Sequence, residues 1–300
     1  MKNVLVVYYT QSGQLAEIVS QVVKPLTSDG EMTVTYHEIK PVKPFPFPWA
    51  KEAFFDAFPE SFQQIPAALE PVPAEIMHKK YDLILLFYQV WYLSPSIPIN
   101  SFLKSTEAKK LLAGTPVVTI SGSRNMWIMA QEKVKSLLRD CGASLKGNIA
   151  LVDRAGNLVS VVTIVQWMFT GKKDRYLGIF PKAGVSDEDI NDSSRFGEII
   201  KKNLQQESLE KLQAELVAND AVKIHPYLVT VDRTANKIFQ KWSTLILRKN
   251  RSRKTLLKVF NYYLLVAIWV VSPIVYILHA FTYVFKINKI KKETLYYSGV

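Results

Sequence analysis

Val4-Leu5-Val6-Val7-Tyr8-Tyr9-Thr10-Gln11-Ser12-Gly13-Gln14 joins a continuous apolar run to a short polar turn. A strand buried on both faces reads as such a run rather than as an alternation. Beyond the turn, Leu15, Ile18, Val19, Val22 and Val23 recur at helical spacing until Pro25 ends the pattern. The stretch predicts a buried strand that delivers a turn to a helix N-terminus. Free backbone N–H groups and the helix dipole converge there and make an anion site. Thr10, Ser12 and Gln14 add side-chain donors, and Gly13 allows a tight bend. One glycine makes neither the G-x-G-x-x-G of dinucleotide sites nor a Walker loop. A hydroxyl-rich turn suits a phosphate monoester, although an ordinary capped turn reads the same way.

Working outward, Met32, Val34 and Tyr36 alternate with polar residues, as an edge strand does. Leu83–Phe87, Pro116–Ile120 and Ile149–Val152 read as further apolar strands. Helical patterns at Ile99–Leu112, Trp127–Leu138 and Phe196–Leu204 separate or follow them. Strands alternating with helices predict an α/β fold, a parallel sheet covered on both faces. Two segments exceed that plan. Residues 41–77 form a Pro- and Phe-rich insertion, read equally as a lid over a site or as a covering subdomain. Leu158–Phe169 is apolar nearly all round and too short to span a bilayer, so it reads as a buried or membrane-dipping helix.

The net charge of +12 is concentrated at one end. Residues 241–300 hold eleven Lys or Arg and one Glu. A nucleic-acid reader would carry its basic stripe on the folded domain, so no nucleic-acid partner is expected. Instead the charge flanks Val259–Phe285, 27 residues without Lys, Arg, Asp or Glu. As one helix these would measure about 40 Å, enough to cross a hydrocarbon core of roughly 30 Å. Basic clusters on both flanks and Pro273 near the middle leave a single span and a shallow helical hairpin as equal alternatives. Cys141 is the only cysteine and reads as a buried small hydrophobe in a reducing compartment. No signal peptide and no metal site are expected.

The opening run and turn resemble the FMN phosphate loop of flavodoxin-like proteins. Gln89-Val90-Trp91-Tyr92-Leu93-Ser94-Pro95 is similar to the aromatic loop of NAD(P)H:quinone and FMN reductases, which lies along the flavin ring. Ser121-Gly122-Ser123-Arg124-Asn125-Met126-Trp127 falls where such proteins hold the far side of the flavin. The resemblance covers most of residues 1–206. It implies a doubly wound, five-stranded parallel sheet of order 2-1-3-4-5 and an FMN cofactor. The cofactor would be held by Thr10, Gln11, Ser12, Gly13, Gln14 and Leu15, by Val90, Trp91, Tyr92 and Leu93, and by Ser121, Gly122, Ser123, Asn125 and Met126. Over the whole chain the sequence looks like the flavodoxin-like proteins of dialkylresorcinol and flexirubin-type pigment clusters. That resemblance implies aromatisation of a 2,5-dialkylcyclohexane-1,3-dione beside a partner ketosynthase.

The expectation is thus a flavin-dependent oxidoreductase at the cytoplasmic face of the cell membrane, acting on a lipophilic small molecule. The chain is divided into an FMN-binding domain at 1–206, a helical basic connector at 207–255, a membrane segment at 256–285 and a basic tail at 286–300. Tyr92, Tyr88, His78 and Arg124 are candidates for polarising ring oxygens, although aromatic side chains beside a flavin are more often stacking walls. An NAD(P)H-dependent quinone or FMN reductase is the alternative. An electron carrier fits less well, because residues 1–206 hold 23 basic and 20 acidic side chains where carriers are strongly acidic. Homodimerisation is left open.

Overall fold

A computed structural model describes residues 1–28 and 30–300, with all of their side chains except those of residues 250, 282 and 284. The chain runs β1 (Lys2–Tyr8), α1 (Gln14–Val23) and β2 (Met32–Glu38), then the insertion helices α2 (Lys51–Asp56), α3 (Phe58–Phe62) and α4 (Ala74–Met77). There follow β3 (Leu83–Trp91), β4 (Ser94–Pro95), α5 (Ile97–Leu103), α6 (Thr106–Leu112), β5 (Pro116–Ser123), α7 (Ile128–Asp140) and β6 (Ser144–Val152). Helices α8 (Asn157–Thr170), α9 (Asp187–Asp192), α10 (Ser194–Gln205) and α11 (Leu212–Ala218) complete this part. Four more helices close the chain: α12 (Pro226–Arg248), α13 (Arg253–Val266), α14 (Ser272–Thr282) and α15 (Ile287–Ser298).

The sheet order is β2-β1-β3-β5-β6, and each of these neighbours pairs in parallel. This is the doubly wound order, whose chain direction reverses between β1 and β3. The sheet has six strands, not five. The extra one, β4, pairs antiparallel with the end of β3 because the aromatic loop folds back as a hairpin. The apolar patterns fall where expected, with one break. Ile99–Leu112 is two helices, since Ser105 leaves α5 and caps α6 by accepting from the Ala108 N–H at 3.0 Å. One apolar layer lies under α1 and α10, and the other under α5, α6 and α7, where Cys141 is buried.

The hydrophobic core does not stop at residue 206. Leu212, Leu216, Ala221, Val222 and Val229 join the layer under α1. Gln213 Oε1 accepts from the Asn148 N–H (2.7 Å) and the Ala221 carbonyl from the Ala150 N–H (2.8 Å), so this segment covers the free edge of β6. On α12, Asp232 accepts from the Met129 N–H at 3.1 Å, supplying a cap that α7 lacks from its own neighbours. A third apolar cluster joins the insertion to the C-terminal helices: Phe58 stacks on Phe260 with ring centroids 4.1 Å apart.

Helices α13 and α14 form one continuous rod from Arg253 to Phe281, whose most apolar window has mean hydropathy 2.2 and is unburied. Pro273 does not break it. A π-helical stretch at Ala267–Val271 precedes the proline and absorbs the missing donor and the ring's clash with the preceding turn. The Tyr227 hydroxyl braces the site, donating to the Ser272 carbonyl at 2.9 Å. Both ends of the rod are fastened to the α/β domain. Arg253 binds Asp56 (2.6 Å) and Glu60 (2.8 Å). After the rod, α15 returns: Tyr296 donates to Glu132 (2.9 Å), Arg233 binds Glu293 (3.0 Å) and Gln213 donates to the Ser298 carbonyl (2.6 Å). A hairpin would need a break at Pro273, and the helix is continuous there; by length and composition the rod can cross a membrane.

Lys133 is half-buried beside the third cluster, its ammonium 3.7 Å from the centroid of the Phe62 ring and donating to Ser94 Oγ (2.6 Å) and the Phe62 carbonyl (3.1 Å). Burial lowers its pKa to about 7, against a pull upward from Asp232. Between that value and the unfolded value of 10.5, the unfolded chain binds more protons, so this group makes stability rise with pH. The stability of the native protein relative to Lys133→Met should therefore rise from pH 7 to pH 9, by at most about 1.4 kcal/mol per pH unit. Urea denaturation at the two pH values checks this; a flat difference would refute the half-buried, destabilised charge.

Candidate functional site

The ends of β1, β3 and β5 open into a cleft at the point where the sheet order reverses. Gln11, Ser12, Gln14 and Leu15 line it from the first turn, Gln89, Val90 and Trp91 from β3, and Gly122, Ser123 and Arg124 from the end of β5. Gly13 caps α1 at φ 88°, a conformation that strains other residues, and no side chain caps the helix. The amides at the start of α1 thus face the cleft without a competing oxygen from the chain.

Trp91 is aimed by a strained hairpin. Tyr92 and Leu93 both have positive φ (49° and 59°) between the paired Trp91 and Ser94, as a two-residue turn of the primed type requires. Two such non-glycine residues cost on the order of 1–3 kcal/mol each and persist only when their surroundings hold them. Here Leu93 is buried in the third cluster, the Tyr92 hydroxyl donates to the Phe54 carbonyl, and Ser61 Oγ donates to the Trp91 carbonyl (3.1 Å). The Trp91 indole meets Tyr9, Phe45 and Trp49 edge to face at 6.1, 5.1 and 5.6 Å. Burial raises the Tyr9 phenol to about 12, so it stays neutral.

On the other side, Arg124 Nη1 donates to the Asn157 carbonyl (3.0 Å) and to Asn157 Oδ1 (2.9 Å). Burial lowers the guanidinium to about 10, opposed by Asp153 and Asp232, so it remains charged and only donates. Helix α8 supplies Ile164, Trp167 and Met168 as a further wall. Several buried polar atoms along these loops have no partner among the described residues: Thr10 Oγ1, Gln89 Oε1, Ser123 Oγ and Asn125 Oδ1. Buried polar groups are nearly always hydrogen-bonded, so a cluster of orphans at three strand ends marks where a polar ligand belongs.

The structure redistributes the residues expected from the sequence. Gln14 is not free to donate into the turn, because its amide donates to the Val185 carbonyl (3.0 Å) and accepts from the Val185 N–H (3.1 Å). That clamp requires glycine at 184, where a Cβ would lie 2.6 Å from Gln14 Oε1. Leu15 is core, and Ser121 is fully buried beside the Tyr88 phenol rather than in the cleft. Met126 accepts weakly from Arg124 Nη2 (3.4 Å) and packs into the third cluster, while Tyr92 and Leu93 point to the insertion. Of the four catalytic candidates only Arg124 lines the cleft. Tyr88 is fully buried and donates to Gln131 Oε1 (2.7 Å); Tyr92 is spent on Phe54. His78 is exposed just ahead of β3, at the end of the sheet opposite the cleft.

Sequence reading missed Trp167, Met168 and Asn157, which come from a helix noted only for being apolar. Phe45 and Trp49 lie in the insertion that the sequence offers as a lid or substrate wall, though not among the site residues named from it. They back Trp91, and Phe58 of the same insertion packs on Phe239 and Phe260 of the C-terminal helices.

No protein-family model matches the chain, and no curated protein matches it. Among solved structures it is similar to a flavoprotein in complex with FMN from Lactobacillus acidophilus NCFM, at 18% identity over 50% of this chain and 93% of that one, TM-score 0.41. It is similar to a flavodoxin from the domain Archaea at 12% identity over 68% and 99% of the two chains, TM-score 0.37. The Trp repressor binding protein from Bacillus subtilis matches at 13% identity over 58% and 100%, TM-score 0.29. At such identities and scores these likenesses carry no weight of their own.

Proposed function

We propose that the chain is an FMN-dependent oxidoreductase that works on a lipophilic ring at a membrane surface. The observation that carries the cofactor is the set of orphaned polar atoms around an uncapped helix N-terminus, walled by Trp91. The amides opening α1, with the Thr10 and Ser12 hydroxyls, would hold the phosphate. Gln89 and Ser123 would meet the polar edge of the ring system, and Trp91 would stand along its apolar side. The residues present fit that group. FMN, when bound, supplies a two-electron acceptor.

The specific reaction proposed is oxidation of a 2,5-dialkylcyclohexane-1,3-dione to a dialkylresorcinol. The ring loses two hydrogens, a hydride equivalent to the acceptor and a proton to a base. Arg124, charged and half-buried, would donate to a ring oxygen and favour the enol. Trp91, Trp167 and Met168 would exclude water and fix the approach. Each alkyl CH₂ adds about 0.8 kcal/mol of preference for lipid, which explains why such an enzyme would be tied to a bilayer. With both of its ends on the domain side, the Arg253–Phe281 rod would lie in the interface plane, its exposed Tyr262, Val266, Trp269, Val270, Ile277 and Phe281 in the acyl region. Lys254 and Lys258 at one end, and Lys286 and Lys289 at the other, would meet anionic headgroups.

Recombinant protein should carry FMN. Thr10→Val and Ser12→Ala should each weaken its binding about tenfold, roughly 1.4 kcal/mol, by flavin fluorescence titration. Protein that stays colourless in excess FMN would end this reading. Anaerobic addition of the synthetic dione should bleach the flavin and yield resorcinol. Bleaching by NADPH but not by the dione would transfer the site to a quinone or FMN reductase. Val270→Glu with Ile277→Glu should abolish co-sedimentation with anionic liposomes while leaving FMN binding unchanged.

A further inference from the structure

A second cavity, of about 1260 Å³, lies between the loops behind the cleft and the apolar rod. It exceeds the span of roughly 300–1,000 Å³ usual for small-molecule pockets. Asn125, Asn157 and Leu158 line one side; Tyr276, Ile277 and Ala280 of α14 line the other. Tyr227 closes part of the floor, its ring 5.0 Å from Tyr276 and 5.8 Å from His279. Asn157 belongs to this cavity and Arg124 to the cleft, and the two are joined by the hydrogen bonds from Nη1. One side-chain pair therefore divides the voids. The unpartnered Asn125 Oδ1 belongs to a residue on the cavity side of that division.

We infer that this cavity is a chain-binding vestibule, which receives the alkyl part of a membrane-resident amphiphile while its compact polar ring reaches the cleft past Arg124 and Asn157. The inference rests on the reading of the site as one for lipophilic rings. Its occupant follows from the wall: Ile277 and Tyr276 border the cavity and are also more than half exposed on a rod that buries none of its most apolar window. A molecule leaving lipid along this rod meets the cavity before it meets bulk water. Polar groups at the rim, Asn125, Asp153, Arg154, Asn157, Lys223 and His225, can hold a headgroup, while most of the wall surface is apolar and suits an alkyl chain.

The test uses the full chain on phosphatidylcholine–phosphatidylglycerol liposomes containing a diazirine-bearing palmitate, with adducts mapped by mass spectrometry after irradiation. Adducts are expected in 155–159 and 273–280. Ala280→Trp from the rod and Ala155→Trp from the opposite wall should each reduce the adducts on the facing wall about tenfold, equivalent to roughly 1.4 kcal/mol. Adducts on the outer face around Val266 and Val270 should persist, and circular dichroism should report an unchanged fold. Labelling confined to that outer face, or labelling of 155–159 indifferent to Ala280→Trp, would overturn the vestibule. FMN titration of the same samples separates the two readings: protein that labels in the cavity yet takes up no FMN keeps the vestibule and loses the flavin site.

Discussion

The stack of Phe58 on Phe260, guarded by the ion pairs of Arg253 with Asp56 and Glu60, joins the two halves of this molecule. One side of that joint is the insertion, whose Phe45 and Trp49 back the cleft wall at Trp91. Its other side is the start of the apolar rod. Stacked rings with a half-buried arginine fork are directional, so they set the angle at which the rod leaves the domain. From there the position of α14 over the β5 and β6 loops follows, and with it the second cavity.

Polar groups in this fold are grouped by strand direction. All five parallel strands end at one edge, so β1, β3 and β5 deliver their loops to one place. Buried polar atoms without a partner also occur elsewhere, at Asn100 and Asn148 for example, but Thr10, Gln89, Ser123 and Asn125 bring theirs together at the ends of these three strands, among the described residues. The strained turn at Tyr92 and Leu93 belongs to the same economy. Its cost is met by contacts with the insertion, and the result is a tryptophan held nearly perpendicular to Tyr9, Phe45 and Trp49 on the wall of the cleft.

In the C-terminal third, an apolar helix long enough to cross a membrane is tied to the α/β domain at its start and, through α15, after its end. Length and hydropathy describe the rod alone. Its orientation depends on what its two ends bind, and those partners lie up to two hundred residues away in sequence, at Asp56 and Glu132.

The strand order came only with the resemblance to flavodoxin-like proteins, while local pattern was enough to determine the five parallel strands, the turn at Thr10–Gln14 and the apolar character of the C-terminal segment. Each rests on periodicity or on residues adjacent in the chain, and adjacent residues are what a sequence displays. Tertiary structure alone decided that Gln14 serves Val185, that Tyr88 and His78 lie away from the cleft, that α8 walls it, and that α15 returns the tail to the domain. These depend on which face a side chain presents once distant elements pack. A Trp or Gln of given identity reads the same in sequence whether it lines a cavity or fills a core.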